Sequence, residues 1–482
     1  MMIETLTLQQ PPLAESLRTM ALEAGADDVG IVSLDRPELA DERAHVLAAF
    51  PWAKSLVSFV CRTHREPIRS PARSVANHEF HETGEEISAV GRRVVGQLER
   101  AGQRAAAPPM GFPMEMDKFP GRLWVISHKT VAEAAGLGRM GIHRMIIHPR
   151  FGSFVLLGTI ATDIEVSAEA QNQTLDKDPC LTCKLCVAAC PTGAIKSDGQ
   201  FDFNACYTHN YREFMGGFTD WVEDVADSKN RYDYRRRVSE AESASMWQSL
   251  SFGANYKAAY CMAACPAGDD VIDNYLANRK DFVTSVVRPL TDKVEDIYVV
   301  PGSDAEAHVT KRFPHKTVRR VNGSLIPRTL QQFLNGMPLV FQSGQSQGLS
   351  ARYHFTFLNG EPGATVVDNP NVIPQPHHSA AADHVADHVA DHVADHVADH
   401  VADHVADHVS GPVAVTVVIH EGALTVSNGH HGRPDLAVQA DTPTWLGFLA
   451  GEKKLVPALL LRRLRISGDP RLLVRFGKCF PS

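Results

Sequence analysis

The stretch that most constrains this chain is Pro179-Cys180-Leu181-Thr182-Cys183-Lys184-Leu185-Cys186-Val187-Ala188-Ala189-Cys190-Pro191. Its spacing is C-x2-C-x2-C-x3-C-P. Three thiolates at those intervals grip three irons of one 4Fe-4S cubane from a single tight loop. The fourth Cys, held by the rigid Pro after it, ligates a different cluster in proteins that carry two. Structural zinc is the other use of clustered thiols, but zinc sites rarely draw on this run.

A second set of cysteines follows. Cys206 lies 16 residues after Cys190, and Tyr260-Cys261-Met262-Ala263-Ala264-Cys265-Pro266 repeats the C-x3-C-P ending. With each half donating its Pro-flanked Cys to the other cubane, Cys180, Cys183, Cys186 and Cys265 form one complete set. Cys190, Cys206 and Cys261 form the other. A regular second half needs a Cys at position 258, where the chain has Ala258. Three readings stay open for this second site: a cluster with a non-Cys ligand, a cluster with an open iron able to bind a small molecule, or one cluster only with inert remaining thiols. His209 and Tyr260 are the neighbouring stand-in ligands.

Composition narrows the setting. Seven of the nine cysteines lie between Cys180 and Cys265. Such clustering at metal-ligand spacing, with no basic and then apolar leader in the first 30 residues, predicts a reducing cytoplasm rather than a disulfide framework. Cys61 and Cys479 read as buried apolar residues. At 482 residues, 44% apolar and 22% charged, the chain is expected to form two or three soluble domains. No apolar run approaches the roughly 18 residues of a membrane span. The net charge of −8 includes seven Asp from the Ala-Asp-His-Val repeat at 382–409, and without them the chain stands at about −1. No electrostatic partner is implied, so no nucleic acid is expected.

Along the chain, Leu17 to Ala24 and His78 to Gly102 read as amphipathic helices. Asp27 to Ser33, Ser55 to Val60 and Leu123 to Ser127 read as buried strands, the ingredients of an α/β core. Gly136, Gly138 and Gly141 have G-x-G-x-x-G spacing, but they end a helix-like run instead of linking a strand to a helix. They are expected to be turn and packing glycines, not a dinucleotide loop. Val318 to Pro327 reads as the end of a linker spanning 301–327. Beyond it, Leu330 to Leu334 is helical, and Arg352 to Leu358 alternates as a strand. Val413 to His420 and Ala423 to Val426 flank a hairpin turn at Glu421-Gly422. Thr442-Pro443 is expected to cap a helix carrying Trp445 and Phe448. Leu464 to Asp469 reads as a strand before an apolar helix at Leu472 to Phe476. The repeat is expected to be a low-complexity loop, with His at i and i+4 able to take metal if helical.

Two resemblances rest on these motifs. Ala135-Gly136-Leu137-Gly138-x-x-Gly141, Pro149-x-Phe151-Gly152-Ser153, Leu157-Gly158-x-Ile160-x-Thr162-Asp163, the four-Cys run and Cys206 resemble the epoxyqueuosine reductase and reductive dehalogenase group over roughly 15–290. That resemblance implies two 4Fe-4S clusters in a ferredoxin-type segment, a cobalamin fed by them, and a reductive removal of a group from substrate. It departs in the missing Cys at 258. It departs also in the acidic D-T-x-P-V-L-E segment, whose Asp acts as proton donor and whose place is taken here by Arg122. His128, Lys129 and His143 are the candidate replacements.

Gly432-Arg433-Pro434-Asp435-Leu436, Trp445-Leu446-Gly447-Phe448-Leu449-Ala450-Gly451 and Arg465-Ile466-Ser467-Gly468-Asp469-Pro470-Arg471-Leu472-Leu473 resemble the sterol-carrier-protein-like domains, which wrap a five-stranded sheet and helices around an apolar tunnel. The expected organisation is an α/β reductase-like domain at 1–165 and a 4Fe-4S ferredoxin-type domain at 166–300. The linker follows at 301–327, then an α+β sterol-carrier-like domain at 328–482 with the insertion at 382–409. The expected activity is a cytoplasmic iron-sulfur reductase, served by a donor such as ferredoxin or flavodoxin and presenting a hydrophobic small molecule or lipid. The rival readings are an electron-transfer module without substrate chemistry and a lipid- or sterol-binding protein.

Overall fold

A computed structural model of the protein describes residues 14–323, 325–360, 364–366 and 411–481. The Ala-Asp-His-Val repeat lies outside them. The N-terminal sheet uses β1 (Asp28–Ser33), β2 (Ser55–Arg62), β3 (Ala105–Ala106) and β6 (Val155–Thr162), in the order β1-β2-β6-β3. Between β3 and β6 the chain makes the ribbon of β4 (Arg139–Met140) and β5 (Ile146–Ile147). Every pairing in the sheet is antiparallel. The helix Arg73–Arg100 lays Ile87, Val90, Val94 and Leu98 on it at three- and four-residue intervals, sealing a core with Leu17, Ile31, Phe59 and Ile160. Cys61 is fully buried in that core, where burial pushes its thiol up to about 12.

Leu123 to Ser127, expected as a strand, is irregular. Leu123 and Ile126 are buried as the apolar pattern requires. The polar groups here bond across to side chains and loops instead of to a neighbouring strand. Arg122 Nη1 donates to Glu42 Oε1 at 3.1 Å, Ser127 N to Glu42 Oε2 at 3.1 Å, and Trp124 Nε1 to the Gly111 carbonyl at 3.0 Å. Satisfied in that way, the segment has no need of a ladder. The helix His128–Ala134 follows, and the three glycines close it. A Cβ on Gly136, at φ +71°, would lie 2.2 Å from the Gln173 carbonyl oxygen, so its role is close packing.

The expected linker at 301–327 is mostly folded. β7 (Asp296–Val299) pairs in parallel with β8 (Thr317–Arg320), and the helix Asp304–Arg312 crosses between them. Ala305 and Val309 on that helix are buried with Cys186, Cys190 and Ile297. The Ser303 cap and the apolar spacing of Ala305, Val309 and Phe313 carried this signal.

The C-terminal sheet is five-stranded, with β9 (Ala351–Leu358), β10 (Val413–His420), β11 (Ala423–Asn428), β12 (Leu436–Asp441) and β13 (Leu464–Gly468) in the order β11-β10-β9-β12-β13. Only β9 and β12 run parallel. Glu421 and Gly422 both take positive φ, as the two-residue turn between β10 and β11 requires. The helix Thr442–Leu449 is capped by Asp441, whose side chain accepts from Thr444 N at 2.9 Å. Thr442, expected as the cap, is instead its first residue. Across the sheet lies an aromatic core of Trp445, Phe333, Tyr353, Phe355, Phe357 and Phe476. Cys479 is buried beside it and donates to the Arg475 carbonyl at 3.3 Å. Trp445 is 1% exposed and packs on Phe333, Phe355 and Phe357. Trp445→Ala is expected to cost about 3–5 kcal/mol, read in denaturant unfolding followed by far-UV circular dichroism.

Candidate metal centres and the recess beside them

The loop carrying the first three cysteines turns back on itself. Thr182 and Lys184 both sit in the left-handed region, at φ 50° and 62°. Non-glycine residues there cost about 1–2 kcal/mol each, an outlay that a bound cluster offsets. The short helix Leu185–Ala189 then carries Cys186, and Cys190 N bonds to the Cys186 carbonyl at 3.1 Å.

The second C-x3-C-P turn is clamped from the N-terminal domain. Ser153 Oγ donates to the Met262 carbonyl at 3.2 Å and also bonds the Cys265 thiol. Asp269 N and Asp270 N each donate at 2.9 Å, to the carbonyls of Pro149 and Arg150. Gly152 and Gly268 approach backbone to backbone: a Cβ on Gly152 would lie 1.9 Å from the Ala267 oxygen. The run Pro149-x-Phe151-Gly152-Ser153 is thus the seat that positions Cys265.

Cys180, Cys183, Cys186 and Cys265 line one cavity of about 300 Å³, including its open mouth, together with Ile142, His143, Ile147 and Pro266. Cysteines from two distant stretches thus border one space, though among the described residues no three or more His, Cys, Asp or Glu side chains are grouped so as to hold a metal ion. Burial pushes the Cys265 thiol up to about 11 and raises Cys183 and Cys186 as well. These thiols stay protonated until a metal displaces the protons.

Cys190, Cys206 and Cys261 meet as a second group. Cys206, on the helix Phe203–Asn210, is raised well above its ordinary value by burial and by the nearby Cys190 and Cys261. Cys261 is pushed to about 12 by burial and by Cys190. Ala258 packs its methyl against the core around Tyr260 and Met262, and its N–H is bonded to Asn210 Oδ1 at 2.8 Å.

Of the two stand-in ligands, Tyr260 is otherwise engaged and His209 keeps one ring nitrogen unpartnered. The Tyr260 hydroxyl donates to Glu295 Oε2 at 2.7 Å, and Arg73 lies over its ring. His209 stacks on Tyr298, whose N–H it accepts at Nδ1. Its Nε2 is buried without a protein partner, and burial depresses the ring to about 3, so it stays neutral.

The three proton candidates separate. His128 is bonded at both nitrogens, to Thr159 Oγ1 at 2.8 Å and to the Pro109 carbonyl at 3.0 Å, which marks a structural imidazole. His143 borders the four-thiol cavity, depressed to about 4 by burial and by Lys129. Lys129 lies beside the three-thiol group, where Cys206 and Cys261 act on its charge. Its side chain is open to solvent, yet burial lowers its ammonium.

Tyr211 lies near Cys206 and Cys261 and packs against Tyr256. Burial and the Cys206 and Cys261 thiols raise Tyr211, and burial raises Tyr256 to about 12. Their rings and that of Phe214 pack edge to face at 5.1 to 5.7 Å. Sequence reasoning missed both tyrosines. Their one signal is position, five residues after Cys206 and five before Cys261.

Residues 174–196 match the 4Fe-4S binding domain family, and residues 384–481 match the SCP-2 sterol transfer family. An epoxyqueuosine reductase of Listeria monocytogenes is 36% identical over 84 residues, 17% of this chain and 21% of that one. Over that stretch this chain is similar to epoxyqueuosine reductases, and it also matches the 4Fe-4S binding and SCP-2 families. The match spans about a fifth of that relative's length. Among solved structures, a reductive dehalogenase described by a mechanism for B12-dependent dehalogenation is 15% identical over 53% of this chain and 38% of that one, with a TM-score of 0.33. An epoxyqueuosine reductase with an epoxyqueuosine-modified tRNA stem loop is 20% identical over 40% of this chain and 56% of that one, with a TM-score of 0.26. Scores this low carry no argument about the fold. The tRNA belongs to that protein, where it stands against the expectation of no nucleic acid. Among the described residues no helix is long and apolar enough to cross a membrane.

Proposed function

We propose that the protein is an iron–sulfur oxidoreductase that passes single electrons through two clusters to a substrate beside the aromatic group of Tyr211, Tyr256 and Phe214. The observation that carries this reading is the four-Cys run, whose Cys180, Cys183 and Cys186 border one cavity with Cys265. That cavity lies behind Leu181, which is 40% exposed, and suits electron entry from a ferredoxin or flavodoxin. Cys190, Cys206 and Cys261 share an apolar cluster with Cys186, and Tyr211 packs edge to face on Tyr256 and Phe214.

The spacing of the cysteines suits 4Fe-4S clusters. They do not supply the acid that the related corrinoid chemistry uses. Arg122, at the place of the family's Asp, is paired with Glu42, and His128 is fully bonded. No step is therefore routed through cobalt. The organisation that goes with this reading is a sheet domain, a cluster domain that extends through β8, and the C-terminal domain. That last domain contributes an apolar surface for a hydrophobic substrate.

The test is a potentiometric titration of the anaerobic protein followed by electron paramagnetic resonance. Two paramagnetic centres are expected. Cys206→Ala is expected to delete one signal and about half the iron, leaving the other centre intact. A wild-type spectrum with one centre, or a Cys206→Ala spectrum identical to wild type, refutes the proposal.

A further inference from the structure

We propose that the turn Leu460-Leu461-Arg462-Arg463 in the C-terminal domain docks the protein on an anionic lipid surface, its leucines entering the headgroup layer and its arginines meeting the lipid phosphates. The inference goes beyond the electron-transfer reading and does not depend on it.

Exposure is the first observation. Leu460 ends the short helix Leu455–Leu460 and is 79% exposed, and Leu461 after it is 66% exposed. Among the described residues no large apolar side chain is more exposed than Leu460. Both are held outward by a closed turn. Arg463 N donates to the Ala458 carbonyl at 3.0 Å and Arg462 N to the Leu459 carbonyl at 3.1 Å, the two bonds of a Schellman ending. Arg462 takes the left-handed position at φ 56°, where glycine is usual. Ala458 before the turn and Leu464 after it are buried in the aromatic core and anchor it on both sides.

Charge is the second. From 453 to 478 the chain has eight Lys and Arg and one acid, Asp469. Where their head groups are held, neutral carbonyls hold them: Lys453 Nζ donates to Pro443 at 2.9 Å and Arg475 Nη2 to Gln347 at 3.3 Å. Those bonds leave the charge uncancelled. The helix Arg471–Lys478 repeats the chemistry. Arg471, Val474, Arg475 and Lys478 fall at i, i+3, i+4 and i+7, opposite the buried Leu473 and Phe476, and Val474 is 60% exposed.

Exposed leucines beside uncancelled arginines fit a surface that is apolar below and anionic above. Other occupants fit less well. A second copy would bring the same excess of cations against itself. A nucleic acid would find no ring to stack on, since the one aromatic residue in 453–478, Phe476, is 5% exposed. Among the described residues no helix is long enough to span the bilayer, so the contact is peripheral.

The test is flotation of the full-length protein with vesicles of phosphatidylcholine alone or of equal parts phosphatidylcholine and phosphatidylglycerol. Binding is expected on the anionic vesicles only, and raised salt is expected to weaken it. Leu460→Ser/Leu461→Ser is expected to lower the partition coefficient at least about tenfold. Arg462→Gln/Arg463→Gln is expected to lower it about tenfold and to flatten the salt dependence. All four side chains point to solvent, so circular dichroism and melting should match wild type. No binding to anionic vesicles, equal binding to both kinds, or full binding by the leucine variant overturns the proposal. So does a protein that binds single-stranded RNA in place of vesicles, or a dimer in light scattering that the leucine variant dissolves.

Discussion

Gly152→Ala is expected to destabilise the protein by about 3 kcal/mol or more and to cost the first cluster its fourth ligand. The added methyl would fall 1.9 Å from the Ala267 oxygen, on a backbone at φ +66° that disfavours any side chain. Neither partner can yield easily. Gly268 approaches from the other side, and Asp269 N and Asp270 N are bonded to Pro149 and Arg150. Relief has to come from moving the turn that carries Cys265 away from the cavity. The variant should therefore reproduce the spectrum of Cys265→Ala, with the second signal preserved. Denaturant unfolding together with iron content checks it. A variant as stable as wild type and with full iron refutes the claim that this seat positions Cys265.

The second large effect is expected at Arg212. It is 5% exposed, bonds Asp220 at 2.5 Å and Glu242 at 2.9 Å, and lies over the Tyr298 ring at 4.9 Å. It follows Tyr211 directly and ties the helices Met215–Asp227 and Glu240–Phe252 to the helix of Cys206. Removing one member of a buried ionic group leaves the others uncompensated, at a cost of about 3–5 kcal/mol. Arg212→Met is expected to lose that amount at neutral pH. Urea unfolding reads the loss, and a variant as stable as wild type contradicts the uncompensated-charge explanation.

How far the sequence could be read depended on the range of the physics. Cysteine spacing is local, so the four-Cys run and its Pro-flanked partner were legible. Cys180, Cys183, Cys186 and Cys265 border one cavity, and Cys190, Cys206 and Cys261 share an apolar cluster with Cys186. Period-two and period-3.6 patterns likewise gave β2, β9, β10 and the helix Arg73–Arg100. Leu123 to Ser127 misled because apolar alternation records burial, not the partner of the backbone. That partner is Glu42, some 80 residues away. The linker misled because the β7–β8 crossover is built from short elements that only packing against the cysteine domain makes worthwhile. The packing of Tyr211 on Tyr256 was invisible because the two share no motif and meet across 45 residues of chain.

The account stands on two clusters of unequal ligation in one chain. Mössbauer spectroscopy of the iron-57 reconstituted, anaerobic protein, with total iron and sulfide measured on the same sample, tests that most directly. The account predicts about eight irons per chain. It also predicts one subsite, about an eighth of the total, with parameters distinct from tetrahedral thiolate-ligated iron. A spectrum of about four irons, or of eight equivalent thiolate-ligated irons, contradicts it.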